Sequence, residues 1–217
     1  AALIHYEAEQ YQTSIKVLTK LKKVYPNHKY IKEIMGSLAN SNTMAGNLDA
    51  AEKEYEALLP MYAKTDTNYV NIGRSIAAVQ FQKAEKYAKG GKHLQAAKAY
   101  LKLQKRFPRM TFSDKAIFEA AVSYEKAKKS KEAAATFLSL HTTYPKSTLG
   151  IKAILRAASV HKKAKQYDKA AKTFLIITNK FPRDSMAFQS IGFAAVEDHK
   201  EDENNNAIGL LRELIQE

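Results

Sequence analysis

Apolar and polar positions follow helical spacing along the chain, and one pattern returns at a fixed interval. Each copy has an alanine, an aromatic residue four positions later, and an aromatic residue followed by proline. Side chains four apart lie on one face of a helix, and proline cannot continue a helix. The pattern therefore predicts helices that end before Pro108, Pro145 and Pro182, which are 37 residues apart.

Extending this register predicts six copies. The equivalent positions are Ser14, Ala51, Ala96, Ala133, Ala170 and Ala207. Twelve residues earlier every copy has alanine, at Ala2, Ala39, Ala84, Ala121, Ala158 and Ala195. Small side chains let two helices approach within about 8–10 Å. Each copy is therefore predicted to be an antiparallel pair, in which helix A carries the earlier alanine and helix B the later position.

Short turns are predicted between the helices of a pair. They fall at Gly46-Asn47, Gly90-Gly91, Lys129-Ser130 and Gln166-Tyr167. Glycine at two of the turns suits a left-handed helix C-cap.

One step between copies is 45 residues rather than 37, and the extra residues fall between Ala63 and Ala84. Eight residues make about two helical turns. This favours a long helix A in the third copy, capped by Thr67 or Asn68 and ending near Ala88. The alternative is a longer loop over residues 64–68, followed by a helix of ordinary length.

Composition supports an all-α fold, with 33 Ala and 29 Lys but only 8 Gly and 5 Pro. Cysteine is absent, which excludes disulfides, thiolate metal sites and a cysteine nucleophile. No apolar run is long enough to predict a membrane span. The chain begins without methionine, which is typical of a trimmed or mature product.

The net charge of +13 is unevenly distributed. Residues 184–217 sum to −6, so residues 1–183 sum to +19. A basic body attracts acidic partners or anionic surfaces. The alternative is that lysine-rich helix faces are simply solvated. The excess of 29 Lys over 6 Arg favours solvation, because Arg is the better specific binder.

The order of small, small, aromatic and proline positions resembles the helix-pair signature of the tetratricopeptide repeat family over essentially the whole chain. The resemblance implies an all-α right-handed solenoid of about six antiparallel helix pairs. It would form a single array over residues 1–217, with repeats at 1–26, 27–63, 64–108, 109–145, 146–182 and 183–217.

The 37-residue period is similar to that of bacterial outer-membrane assembly lipoproteins, of periplasmic proteins that accompany the Tol-Pal system, and of motility proteins with these repeats. The resemblance therefore implies a bacterial periplasm or cell envelope location, with the cytoplasm left open.

The same resemblance implies that helix A of each repeat lines a concave groove in which partners bind. The register then predicts a partner-binding site of Phe81, Glu85, Lys115, Phe118, Val122, Lys152, Leu155, Arg156 and Lys162. Phe81, Phe118 and Leu155 would form an apolar stripe, and the basic residues beside it would suit an amphipathic acidic peptide. The alternative is that these three side chains pack between neighbouring A helices.

The sequence offers no catalytic constellation. It has no phosphate-binding glycine loop, nucleophile elbow or zinc-binding His-Glu-x-x-His motif. No two histidines have metal-ligand spacing on one helix, and His5 and His161 are expected to pack between helices A and B. The acidic run Glu201-Asp202-Glu203 lacks the ligand order of a calcium loop. We therefore predict no catalytic residue, metal, cofactor or small-molecule substrate.

These patterns favour a non-catalytic scaffold that holds a protein or peptide partner, within a bacterial envelope or motility complex. Two alternatives stay open: a basic surface that binds nucleic acid or an anionic membrane, and an interaction module cut from a larger multidomain protein. Self-association through the end repeats is a further expectation, because neither end has an obvious polar capping helix.

Overall fold

The structure, a computed structural model, describes residues 2–199, without the side chains of residues 2–4, 187, 188, 191, 195 and 197–199. The described residues form eleven α-helices, one short 3-10 helix and no strand, which confirms the all-α prediction. The α-helices are α1 (Ala2–Glu7), α2 (Tyr11–Val24), α3 (Ile31–Met44), α4 (Leu48–Leu58), α5 (Thr67–Lys89), α6 (His93–Arg106), α7 (Ser113–Lys126), α8 (Ser130–Thr143), α9 (Gly150–Lys163), α10 (Tyr167–Lys180) and α11 (Ser185–His199). None of these described helices has both the length and the apolarity needed to cross a membrane.

The helices pack in chain order, as a repeat solenoid does. Odd-numbered helices are the A helices and even-numbered helices are the B helices. The chain divides into two compact units, the first up to residue 86 and the second from residue 87. In the first unit α1, α2, α3 and α4 pack consecutively, and in the second unit α6 to α11 do the same.

The two small-residue positions of each pair are fully buried. Ser14, Ala51, Ala96, Ala133 and Ala170 are 0% exposed, and so are Ala39, Ala84, Ala121 and Ala158. Ser14 is the one polar residue in these columns, and its hydroxyl lies 3.0 Å from the Ser41 hydroxyl. Ala207 lies outside the described residues, and the side chains of Ala2 and Ala195 are not described.

Each of the five described A–B turns has one left-handed residue at the same register position: Glu9, Gly46, Gly91, Lys128 or Lys165. At Lys128 the backbone N–H donates to the Glu125 carbonyl at 3.0 Å, and the next N–H, of Lys129, donates to the Tyr124 carbonyl at 2.9 Å. This pair of bonds is the Schellman motif, which satisfies the last carbonyls of a helix.

The turn predictions were right in kind and partly wrong in position. The glycine C-caps are confirmed at Gly46 and Gly91, with φ of 75° and 74°. The last two turns are centred on Lys128 and Lys165, one residue before the sequence predicted them. No glycine marks those turns, so the pattern alone gave no signal for the left-handed residue.

The irregular step between repeats is a long helix, not a long loop. Helix α5 has 23 residues, whereas α3, α7 and α9 have 14 each. The predicted cap at Thr67 or Asn68 was wrong by a residue, because Asp66 caps the helix. Its carboxylate accepts the Asn68 N–H at 2.7 Å, which satisfies one of the N–H groups that a helix start leaves unpaired.

The B helices end immediately before the aromatic–proline pairs, with one exception. Helices α2, α6, α8 and α10 each stop one residue before the aromatic. Helix α4 stops earlier, at Leu58, and continues as the 3-10 helix Leu59–Met61. Pro60 explains the difference, because it has no N–H to donate and its ring clashes with the preceding turn.

Candidate functional site

In the second unit, the A helices α7, α9 and α11 form the described part of the predicted groove. We call this surface the A-helix face. It consists of Lys115, Phe118, Val122 and Glu125 of α7, Lys152, Leu155, Arg156, Ser159 and Lys162 of α9, and Gly192, Phe193 and Val196 of α11. Phe81 and Glu85 of the predicted site belong to α5 in the first unit, and we describe them separately.

The predicted apolar stripe is largely buried. Phe118 is 9% exposed and packs in a core cluster, where its ring centroid lies 5.4 Å from that of Phe137. The Lys152 ammonium covers part of this ring, 5.4 Å from the centroid. Phe81 is 8% exposed in the first unit. Leu155 is partly buried against the cluster that contains Phe174.

Helix packing therefore accounts for most of the surface of Phe81 and Phe118. Val122 and Leu155 are only partly buried, and we call these two residues the apolar strip of the A-helix face. Partner binding by these residues stays a prediction, and the strip offers a partner less apolar area than the sequence suggested.

An ion-pair triad lies beside the strip. Glu125 accepts from Arg156 at 2.7 Å through one carboxylate oxygen and from Lys163 at 3.0 Å through the other. Arg156 is 44% exposed at its side chain, and its guanidinium lies 5.9 Å from the centroid of the Phe137 ring. Exposed ion pairs contribute about 0–1 kcal/mol, so a partner carboxylate can replace Glu125 at little cost.

Three further predicted residues keep their charges at the surface. Lys115, Lys152 and Lys162 are exposed on α7 and α9. Glu85 is half-buried on α5 in the first unit. The A-helix face is therefore basic around its apolar strip.

The exposed apolar residues of this face lie on α11, which contributes no residue to the site predicted from the sequence. Phe193 is 45% exposed and Val196 is 56% exposed. The Phe193 ring lies 5.4 Å from the Phe174 ring, just as Arg156, one repeat earlier, lies over Phe137. Beside them Gly192 leaves open space. The predicted stripe of Phe81, Phe118 and Leu155 lies in one register column, and it ends at Leu155 because the next residue of that column, Gly192, has no side chain. The neighbouring column, with Val122 and Val196, carried the signal.

The histidines at the A–B turns have a structural role. His5 Nδ1 lies 2.8 Å from Gln10 Oε1, and His161 Nδ1 lies 3.0 Å from Gln166 Oε1 at the same register position. These bonds join the end of helix A to the start of helix B. Among the side chains that the structure describes, no three of His, Asp or Glu lie close enough together to hold a metal ion. The acidic run at 201–203 lies outside the described residues.

Comparison with known families identifies the repeat. A tetratricopeptide repeat model matches residues 1–28, 115–147 and 152–184. These segments correspond to the first, fourth and fifth predicted repeats, in which the 37-residue spacing is regular. The chain therefore matches the tetratricopeptide repeat in these three segments, and its all-helical fold of consecutive pairs agrees with that repeat.

Solved structures with similar folds are distant in sequence. The complex of the TPR2AB domain of yeast Sti1 with pHSP90 is 18% identical, with 97% of this chain and 80% of that chain covered and a TM-score of 0.39. BtubC from P. vanneervenii is 13% identical over 95% and 87%, with a TM-score of 0.47. A tetratricopeptide repeat protein from Parabacteroides merdae is 17% identical over 100% and 77%, with a TM-score of 0.45. No curated protein matches the sequence.

Proposed function

We propose that the chain is a non-catalytic scaffold that binds a peptide segment of a protein partner on the A-helix face. The observation that carries the proposal is the pair of exposed apolar side chains, Phe193 and Val196, on a surface bordered by exposed basic residues. Exposed apolar patches with polar rims are typical of interaction sites.

The chemistry of the face favours an amphipathic acidic segment. Phe193, Val196 and the strip at Val122 and Leu155 offer apolar contacts. Lys152 and the other basic side chains offer partners for carboxylates. A helix with apolar residues on one side and carboxylates at its margins makes both kinds of contact at once.

The cellular setting forms a second part of the proposal. The 37-residue period is similar to that of bacterial envelope and motility proteins, so we propose that the scaffold serves a complex of that kind, in the periplasm or cell envelope. This part depends on the resemblance and is independent of the chemistry of the face.

A peptide selection tests the binding proposal. A random peptide library is selected on the chain, and the enriched peptides are measured against two variants. Val196→Glu places a carboxylate in the proposed site, and Val70→Glu makes the same change at another exposed valine, 43% exposed on α5.

We expect the enriched peptides to combine acidic residues with apolar residues at helical spacing. We expect Val196→Glu to weaken their binding about tenfold, equivalent to about 1.4 kcal/mol, while Val70→Glu leaves it unchanged. Failure to enrich any peptide, or equal loss in both variants, would contradict the proposal.

A further inference from the structure

The first inter-repeat loop has an exposed aromatic patch. Val24 is 54% exposed, Tyr25 is 54% exposed and Tyr30 is 53% exposed. His28 between them is also exposed. We call these four residues, together with the exposed Lys23 and Lys29, the end patch. It lies in the first unit, and none of its residues belongs to the A-helix face.

The later repeats show that such exposure is not a property of the loop itself. Tyr144 holds the register position of Tyr25 and is half-buried. Its hydroxyl donates to the Pro108 carbonyl at 2.7 Å and accepts from the Gln104 amide at 3.0 Å. Gln104 and Pro108 belong to the preceding repeat. The contacts of Tyr144 show that a protein surface can cover this aromatic position and bond its hydroxyl.

The rings of the end patch are already ordered. The Tyr25 and His28 ring centroids are 6.2 Å apart, and those of His28 and Tyr30 are 5.5 Å apart. The Tyr30 N–H donates to His28 Nδ1 at 3.2 Å, and the Lys29 ammonium lies 4.9 Å from the Tyr30 ring centroid. Tyrosines held in this way lose little side-chain freedom when a partner binds, which favours affinity.

Charge indicates the kind of partner. From residue 10 to residue 32 the chain has six lysines and no acidic residue. One of these lysines, Lys22, is paired with Glu54 at 2.5 Å. The end patch is therefore basic and aromatic, and it suits a segment that has both carboxylates and apolar side chains.

The chain itself contains such a segment. Residues 197–217 have seven acidic and two basic residues. They also have five large aliphatic residues, Ile208, Leu210, Leu211, Leu214 and Ile215. The sequence of this segment thus complements the end patch in charge and in apolar character.

We propose that the end patch binds residues 197–217 of a second copy of the chain. Such a contact joins the end patch of one copy to residues 197–217 of another. The first copy still has its own residues 197–217 for a further neighbour, and the second still has its end patch, so the association is head to tail. The end patch is small, so we expect a weak contact of the kind that buries less than about 1,200 Å². The proposal goes beyond the peptide binding proposed for the A-helix face and does not depend on it.

Two measurements on the full chain test the proposal. Sedimentation velocity over a range of concentrations follows self-association. A fluorescent synthetic peptide of residues 197–217, titrated with the chain, measures the contact directly. The patch variants are Tyr25→Ala/Tyr30→Ala and Lys23→Glu/Lys29→Glu, and the matched control is Lys98→Glu/Lys131→Glu at exposed lysines of α6 and α8. Circular dichroism confirms that each variant is folded.

We expect concentration-dependent association and peptide binding, both weakened about tenfold or more by either patch variant and unchanged in the control. Raising salt from about 0.1 M to about 1 M shortens the Debye length from about 10 Å to about 3 Å and should also weaken both. A monomer at every concentration would overturn the proposal. Peptide binding that is equally strong in the patch variants would also overturn it. Binding of a single-stranded oligonucleotide to the end patch, without binding of the peptide, would overturn it as well.

Discussion

At the scale of single residues, the backbone conformation of one position closes each A–B turn. The left-handed residue of the Schellman motif has φ between 56° and 75° in all five described turns, whether it is glycine, glutamate or lysine. A left-handed conformation costs a residue with a side chain about 1–2 kcal/mol. The two backbone hydrogen bonds of the motif offset that cost, so glycine is favourable but not required.

The same substitution should therefore have opposite effects at two glycines. Gly91→Ala places a Cβ at φ 74° and should lower the free energy of unfolding by about 1 kcal/mol. Gly73 lies within helix α5, where an added Cβ would meet nothing within 4 Å. Gly73→Ala should therefore raise the free energy of unfolding by about 1 kcal/mol. Urea unfolding followed by circular dichroism measures both. Equal shifts in one direction would contradict this account of the turn.

The sequence predicted a turn in each of four pairs but identified the left-handed residue only where it was glycine. Gly46 and Gly91 were found, whereas Lys128 and Lys165 were not, because the motif is made by main-chain atoms and leaves little mark on side-chain identity. The sequence left open whether Phe118 is exposed or packed between helices, for a related reason. The burial of Phe118 depends on the Phe137 ring packed against it. The register of the repeat indicates which face of the helix a side chain lies on, but not how much of it a neighbouring side chain covers.

At the scale of helices, the alanine columns fix how closely A and B approach. Ala121 of α7 and Ala133 of α8 are both 0% exposed and share one core cluster. This was the part of the fold that the sequence predicted best, because only small residues allow the close crossing and their spacing is visible in the pattern. The cap of α5 was less predictable, since Asp66, Thr67 and Asn68 are all reasonable N-caps.

A larger side chain at the crossing should separate the helices. We expect Ala121→Leu to lower the free energy of unfolding by about 1–3 kcal/mol, because the core has no room for it. Ala135→Leu, at an exposed position of α8, is the matched control and should change stability by less than about 0.5 kcal/mol. Hydrogen exchange of α7 and α8 amides is the readout. Equal protection in the two variants would show that the crossing tolerates the added volume.

At the scale of the whole molecule, charge is the dominant property. A net charge of +13 destabilises the folded chain through self-repulsion. Local ion pairs act against this repulsion. Lys83, for example, lies 2.6 Å from both Asp49 and Glu52. Ion pairs that remain in contact with solvent are worth about 0–1 kcal/mol each, so we expect repulsion to outweigh them.

Added salt should therefore stabilise the chain. Between about 0.1 M and about 1 M sodium chloride, screening removes most of the interaction between separated surface charges. We expect the midpoint of thermal unfolding to rise over this range, followed by circular dichroism at low protein concentration to limit association. A fall in the midpoint would show that ion pairs, and not repulsion, dominate the electrostatics.

Function was the least predictable property at this scale. The repeat pattern specifies a scaffold, but partner choice depends on which side chains the scaffold leaves exposed. Phe118 fits the pattern and is buried, whereas Val196 was outside the compared column and is exposed. Residue type indicates which side chains could contact a partner. Only the three-dimensional packing shows which of those side chains are accessible to it.

The uniform turns also provide sites for labels that measure the distance between adjacent repeats. The sequence has no cysteine, and Lys128 and Lys165 are exposed at turns held closed by main-chain bonds. Lys128→Cys and Lys165→Cys would place two labels one repeat apart without removing a bond of either motif. With a dye on each cysteine, energy transfer would measure the distance between the two turns. A change in that distance when a partner binds would show how far adjacent repeats move apart or together.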